Sequence, residues 1–330
     1  MEIQEILIMS GGFILMGVTF YDFFHTTLSG NGYWYISGKI NTWLSRIILT
    51  NKSRSIFNFS GLIHLLVTTL CWLTLLTGGA YLIFLSEENM VINGATKLPA
   101  DLTERFYYTC FVLSTLGIGD FVPGNDLSRF LSGLISFSGF ILLTTALAYL
   151  LSVITSLLDK KKLAFYIDTM GSDIEELYKF FTVDKNLSSF TEKSSDLRQL
   201  IISNSSNYLA FPVVNHFLTR KRNHAIEVQI ASLYEVLMVL RSNYSEDSEQ
   251  YVSISAVLRT IEHNLRMSLV HADDYEHDSE ELYQLRNFWM KYGENYDQNE
   301  EKDRQIGASL HSAGWAWKDI FMFNKKFMGE

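Results

Sequence analysis

Six consecutive residues, Thr115-Leu116-Gly117-Ile118-Gly119-Asp120, carry the most specific chemistry in the chain. Glycine at every second place lets the backbone take left-handed or otherwise strained angles, so that successive carbonyls point to one side. A file of oxygen dipoles made this way can replace the hydration shell of a monovalent cation. The ligands would be the main-chain carbonyls of Thr115, Leu116, Gly117, Ile118 and Gly119, together with the Thr115 hydroxyl. Asp120 would then stand at the outer mouth. Such a string is weak by itself, because glycine-rich turns are common. Its position between two long hydrophobic stretches makes it strong: extended backbone facing lipid is not tolerated at membrane depth, so the segment is either an external loop or a re-entrant element. An external loop would leave the apolar run from Phe106 to Leu116 unburied.

Other reactive residue types form no comparable constellation. Ser10, Ser114 and similar hydroxyls lack a His or Asp partner at motif spacing, so neither hydrolysis nor phosphoryl transfer is expected and the chain does not read as an enzyme. The histidines are scattered; His216, His224, His263, His271 and His311 make no i, i+4 pair, which argues against a metal site. The acidic run Asp273 to Glu281 lacks the glycine-centred calcium-loop pattern and reads as a solvated linker. Net charge is −9, and nothing suggests a nucleic-acid partner. Cys71 and Cys110 both fall at membrane positions, so no disulfide framework is expected.

Three stretches have the roughly 20 apolar residues that a helix needs to cross a bilayer. They are a peripheral helix over 6–24, an outer helix over 62–85 and Phe130 to Leu151, the spanning part of an inner helix over 127–158. Glu2 and Glu5 stand where a signal peptide would be basic, which makes the first a retained helix. Between the first two, residues 33–58 predict an amphipathic interfacial helix with Ile36, Ile40, Trp43, Leu44 and Ile47 on one face and Lys39, Asn41 and Arg46 elsewhere. Asp22 and His25 lie one turn apart at the end of the first span, where ionisable residues are functional candidates; the plainer reading is a hydrogen-bonded interfacial pair joined by His64. No span carries a regular arginine series, so a voltage sensor is not expected. Asp101 and Glu104 predict a capping box opening a short helix, and helix plus filter occupy 101–120. Its C-terminal dipole would favour a dehydrated cation, and Glu104, Asp120 and Asp126 would raise the local cation concentration.

The run from Leu98 to Leu158 resembles the tetrameric potassium-channel family in its two-helix pore form. The resemblance rests on Thr115-Leu116-Gly117-Ile118-Gly119-Asp120, on Tyr107 and Tyr108 in the preceding helix, on Ser114 and on Pro123. It implies a homotetramer in which each chain supplies one filter strand, with potassium ions held at Thr115, Leu116, Gly117 and Ile118 and no other cofactor. Gly139 occupies the place of the family's gating-hinge glycine; close packing against a neighbouring helix is the alternative. Thr144, Thr145 and Ala148, small or hydroxylated, would line an inner cavity. The departure is Ile118, where the family most often has tyrosine or phenylalanine.

Lys39, Arg46, Lys52 and Arg54 after the first span, and Lys160, Lys161 and Lys162 after the third, place those flanks on the cytoplasmic side. The chain is therefore expected in the plasma membrane as a multi-pass protein in contact with lipid, its N-terminus outside. Residues 1–158 form the pore domain in this reading. From Asp159 to Glu330, apolar residues recur at helical spacing, as in Ile226-Ile230-Leu233-Leu237-Leu240, and predict a helical cytosolic regulatory domain. A nucleotide-binding regulator is not expected, because no Gly-x-Gly-x-x-Gly follows a strand. Phe211-Pro212 should break one of its helices. The fold class is thus an all-α membrane protein, and the expected function is a potassium-selective channel with an unidentified stimulus. Its rivals are a weakly selective monovalent cation channel, raised by Ile118, and a membrane-anchored signalling or scaffold protein with a vestigial pore.

Overall fold

The computed structural model describes residues 3–50, 57–182, 187–219, 221–268, 279–290 and 300–321. Lys52, Arg54, His271 and the acidic run from Asp273 to Asp278 lie outside them. The chain is an all-α membrane protein: α1 (Ile3–Leu28), α3 (Phe57–Leu85) and α5 (Asp126–Asp168) are each long and apolar enough to cross a membrane. The shorter α2 (Tyr35–Thr50) joins the first two, and α4 (Leu102–Leu113) lies between the others. Two three-residue strands flank α4, β1 (Val91–Asn93) and β2 (Phe121–Pro123), paired antiparallel with Ile92 opposite Val122.

The contacts divide the chain into two compact units, one of residues 1–40 and 65–152, the other of residues 41–64 and 153–330. In the first, α1 packs on α3 through glycine. A Cβ at Gly12 would lie 2.6 Å from the Gly79 carbonyl oxygen, and one at Gly79 would lie 2.9 Å from that of Gly12. Small residues allow this backbone approach where lipid supplies no hydrophobic drive between helices. Around it Met16, Phe23, Trp72, Leu76 and Phe84 make a core shared with Tyr108, Phe111, Leu131 and Ile135.

The second unit is built around α8 (Ile226–Ser242), buried along most of its length, with Gln229, Ser232 and Glu235 among its buried residues. α6 (Ile174–Thr182), α7 (Leu187–Ala210), α9 (Glu249–Ser268), α10 (Ser279–Met290), α11 (Glu300–Ser312) and α12 (Lys318–Phe321) complete the unit. Their core includes Leu177, Leu197, Ile201, Leu258, Trp289 and Trp317. α7 ends at Ala210 and a 3-10 segment, Pro212–His216, follows the break expected at Phe211-Pro212.

Three expectations are modified. The inner helix does not stop at 158. No glycine or proline interrupts it there, and it runs to Asp168, with Leu163, Ala164 and Ile167 fully buried in the second unit's core. The interfacial helix, expected over 33–58, spans Tyr35–Thr50 among the described residues, and it also carries an inward face. Ser37, Asn41, Leu44 and Ile48 are buried, whereas Trp43 and Ile47 are exposed.

The first turn of that inward face meets Asp22, whose expected pairing is corrected. Its carboxylate does not pair with His25 or His64. One oxygen accepts from the main-chain N–H groups of Ile36 at 3.1 Å and Ser37 at 3.2 Å; the other accepts from the Ser37 hydroxyl and, at 2.6 Å, from the Trp72 indole N–H. Fully buried, it caps the first turn of α2 from a different helix, where orphan donors and the positive end of the dipole favour an anion. That contact turns Ser37 and Asn41 inward. Replacing Asp22 with leucine would leave these donors unmet at a cost of about 3 kcal/mol or more. Asp22→Asn, which keeps one acceptor, should lose less. Thermal unfolding in detergent measures both, and an Asp22→Leu protein as stable as the wild type would refute this role.

Candidate pore helix and filter

α4 begins as the sequence predicts. The Asp101 side chain accepts from the Glu104 N–H at 2.8 Å, and the Glu104 side chain accepts from the Asp101 N–H at 2.8 Å. Its other end leads into the filter. The Thr115 N–H donates to the Val112 carbonyl at 3.1 Å and the Leu116 N–H to that of Phe111 at 2.9 Å, the paired bonds of a Schellman cap. That motif needs a left-handed residue between them, and Thr115 takes it with φ of +57°. For a β-branched residue this is a strained position, costing about 1–3 kcal/mol. The first filter residue and the stop signal of the helix are the same residue.

Beyond it φ is positive again at Gly117 (+59°) and Gly119 (+89°), while Leu116 and Ile118 keep the ordinary sign. Side chains from Ser114 to Asp120 are all exposed in the single chain, Leu116 at 66% and Ile118 at 52%. Apolar residues exposed in a run like this call for a covering surface.

The filter's far end is tied to the loop that precedes α4. The Gly94 N–H donates to the Asp120 carbonyl at 2.7 Å, and a Cβ at Gly94 would stand 2.9 Å from the Gly119 oxygen. The Asp120 carboxylate accepts from the Phe121 N–H at 3.0 Å and is hydrogen-bonded by the Tyr107 hydroxyl. Tyr107 also meets Phe111 and Phe121 edge to face. On the other side of α4 the Tyr108 and Ser132 hydroxyls lie 2.7 Å apart, joining α4 to α5.

Gly139 sits where α5 presses on the end of α4. A Cβ there would fall 2.0 Å from the Leu113 carbonyl oxygen, and α5 is continuous helix through it. Leu131, Ile135 and Leu142 are buried on that side of α5, whereas Thr144 and Ala148 are exposed and Thr145 half-buried. The three expected acids are each engaged locally: Glu104 in the capping box, Asp120 with Tyr107, and Asp126 with Arg129 at 3.1 Å on the surface.

Sequence reasoning missed Arg105. It is buried, and its guanidinium donates to four carbonyls: Ala100 at 2.9 Å, Phe84 at 3.3 Å, Glu87 at 3.1 Å and Glu88 at 2.7 Å. It fixes the end of α3 and the following loop to the start of α4. An arginine one turn into an otherwise apolar helix was the available signal, since a buried cation must find acceptors.

Residues 67–156, from within α3 through the filter and most of α5, match the model of a family described as ion channel. That stretch is similar to an ion-channel domain. An uncharacterized membrane protein of Bacillus subtilis (strain 168), YdjJ, is 25% identical over 247 residues, which cover 71% of this chain and 70% of that one. No solved structure matches.

Removing the Arg105 fork by Arg105→Met would strand up to four acceptors and cost about 3 kcal/mol. Lysine keeps the charge but not the planar fork, so Arg105→Lys should recover only part of that loss. Unfolding midpoints in detergent report both, and Arg105→Met matching the wild type would remove the guanidinium from this account.

Proposed function

We propose that the chain is one of four identical subunits of a potassium-selective channel in the plasma membrane. The observation that carries this reading is the backbone from Thr115 to Gly119, with φ positive at every second residue. Alternating hand turns successive carbonyls to one side, giving a file of oxygens able to replace water around potassium. One strand cannot surround an ion, and a closed cyclic ring of identical chains supplies the other sides. Such a ring would also cover the exposed Leu116 and Ile118. Conduction is then the passage of several potassium ions in file between Thr115 and Gly119. The N-terminus lies outside the cell, and the helical domain on the cytoplasmic side regulates opening.

A weakly selective cation channel is the second reading, favoured by Ile118. An aromatic hydroxyl at that place could hydrogen-bond behind the filter; isoleucine cannot donate or accept. Each subunit then lacks one strut worth about 1 kcal/mol.

Recordings from purified protein in planar bilayers separate the readings. Potassium should permeate far better than sodium; equal reversal potentials in the two salts would defeat the selectivity claim. Gly117→Ala and Gly119→Ala should abolish conduction or selectivity, because a methyl opposes positive φ. Ile118→Tyr, where it fits without overpacking, should slow the decay of current at low external potassium. Faster decay in an intact tetramer would place the filter's support elsewhere.

A further inference from the structure

Two histidines far apart in the chain meet within the second unit. The His64 ring, one turn past Ser60 on α3, stacks on the His216 ring, from the 3-10 segment, with centroids 4.0 Å apart and planes within 2°. The Ser45 hydroxyl of α2 bridges them, 3.0 Å from His64 Nε2 and 3.1 Å from His216 Nδ1. His64 Nδ1 lies 2.8 Å from the Ser60 carbonyl oxygen.

With both rings neutral, these contacts imply one placement of the hydrogens. A carbonyl only accepts, so His64 carries its hydrogen on Nδ1, and its Nε2 is an acceptor. Ser45 spends its single hydrogen on that nitrogen. The serine oxygen must therefore accept from the Nδ1–H of His216.

We propose that Ser45, His64 and His216 form a proton-binding site that controls the docking of residues 211–218. A proton reaching His64 Nε2 replaces the hydroxyl hydrogen, and the serine oxygen is left facing two N–H donors. The displaced hydroxyl can turn to the carbonyl one turn back on its own helix, that of Asn41, which also faces the His64 ring. One proton is thus accommodated with the Ser45–His216 contact kept, because the serine oxygen accepts from both rings. A second would set two imidazolium faces 4.0 Å apart, and like charges at that distance drive the rings apart.

The segment that carries His216 has other attachments, which make its release consequential. Ser60 Oγ donates to the His216 carbonyl, and the Phe217 ring covers Gly61 so closely that a Cβ there would lie 2.1 Å from it. From α5, the Lys160 ammonium lies 3.5 Å from the Val214 carbonyl oxygen and 3.4 Å from that of Phe217, and it pairs at 3.0 Å with Glu227 of α8. Among the described residues, Lys160 faces the segment and Glu227 faces Lys160; α2 presents Ser45 and the Asn41 carbonyl, and α3 presents Ser60. A second proton at one end of the segment therefore loosens what holds α5 at Lys160.

The test uses the full chain in detergent and does not depend on ion conduction. Amide hydrogen exchange of residues 211–218, corrected for intrinsic rates, is compared at pD 7.5 and 5.5, either side of the ordinary histidine pKa. Protection should fall about tenfold or more at the lower value in the wild type, as a locally opened segment requires. His64→Gln and His216→Gln should each remove that response, while His263→Gln, at an exposed position, should retain it. Where one of the first two does not fold, the other decides. A wild-type segment equally protected at both values, or a response that survives in a folded His64→Gln or His216→Gln protein, would overturn the proposal.

Discussion

The contact on which the filter's position depends is the backbone of α5 against the last carbonyl of α4. With Leu113 O where a Cβ at position 139 would stand, the end of the short helix is held against a long one with no side chain between them. Packed backbones leave little room for adjustment, so the point at which Thr115 turns left-handed is fixed in space as well as in conformation. Hydroxyl contact between Tyr108 and Ser132, one turn lower on α4, keeps the same two helices from rotating about that point. Gly139 need not be flexible to matter here. Absence of a side chain is enough, and the hinge and packing expectations separate on this physical ground: the one concerns rotation about the backbone, the other the room beside it.

Local signals were legible and non-local ones were not. The capping box at Asp101 and Glu104, the Gly-x-Gly alternation and the break at Phe211-Pro212 are each written within a few residues, and each is present in the structure. The strand pair β1–β2 was invisible because three residues per strand carry no periodicity. Ile36, Ile40, Trp43, Leu44 and Ile47 of α2 were expected on one face at the membrane surface, and the inward face through Ser37 and Asn41 was not foreseen. Its docking is decided by an anion on another helix, 14 and 15 positions away, not by its own hydrophobicity. Ser45 and His216 are separated by 171 positions, and no reading of spacing within one helix could join them.

The single chain leaves its most strained segment uncovered. Thr115 pays for a left-handed conformation, and the residues from Ser114 to Asp120 recover none of that cost by burial in this protomer. Strain of this kind persists only where surroundings over-determine it. On one side they do so already, through the Schellman bonds, the Gly94 N–H and the Tyr107–Asp120 hydrogen bond. On the proposed reading, the other side is completed by neighbouring subunits and by the ions themselves, so filter geometry and assembly would stabilise each other.

Asp22 and Arg105 apply one electrostatic rule at opposite helix ends. The carboxylate meets the N-terminal donors of α2, and the guanidinium reaches Phe84 O in the last turn of α3. Each is buried, yet the contacts that define each role are to neutral groups: main-chain amides and an indole for Asp22, main-chain carbonyls for Arg105. A charge held by fixed dipoles is oriented by several bonds at once, and helix ends concentrate such dipoles where the backbone has unmet groups. The consequence is geometric. Asp22 ties the first turn of α2 to α1 and α3, and Arg105 ties the start of α4 to the end of α3.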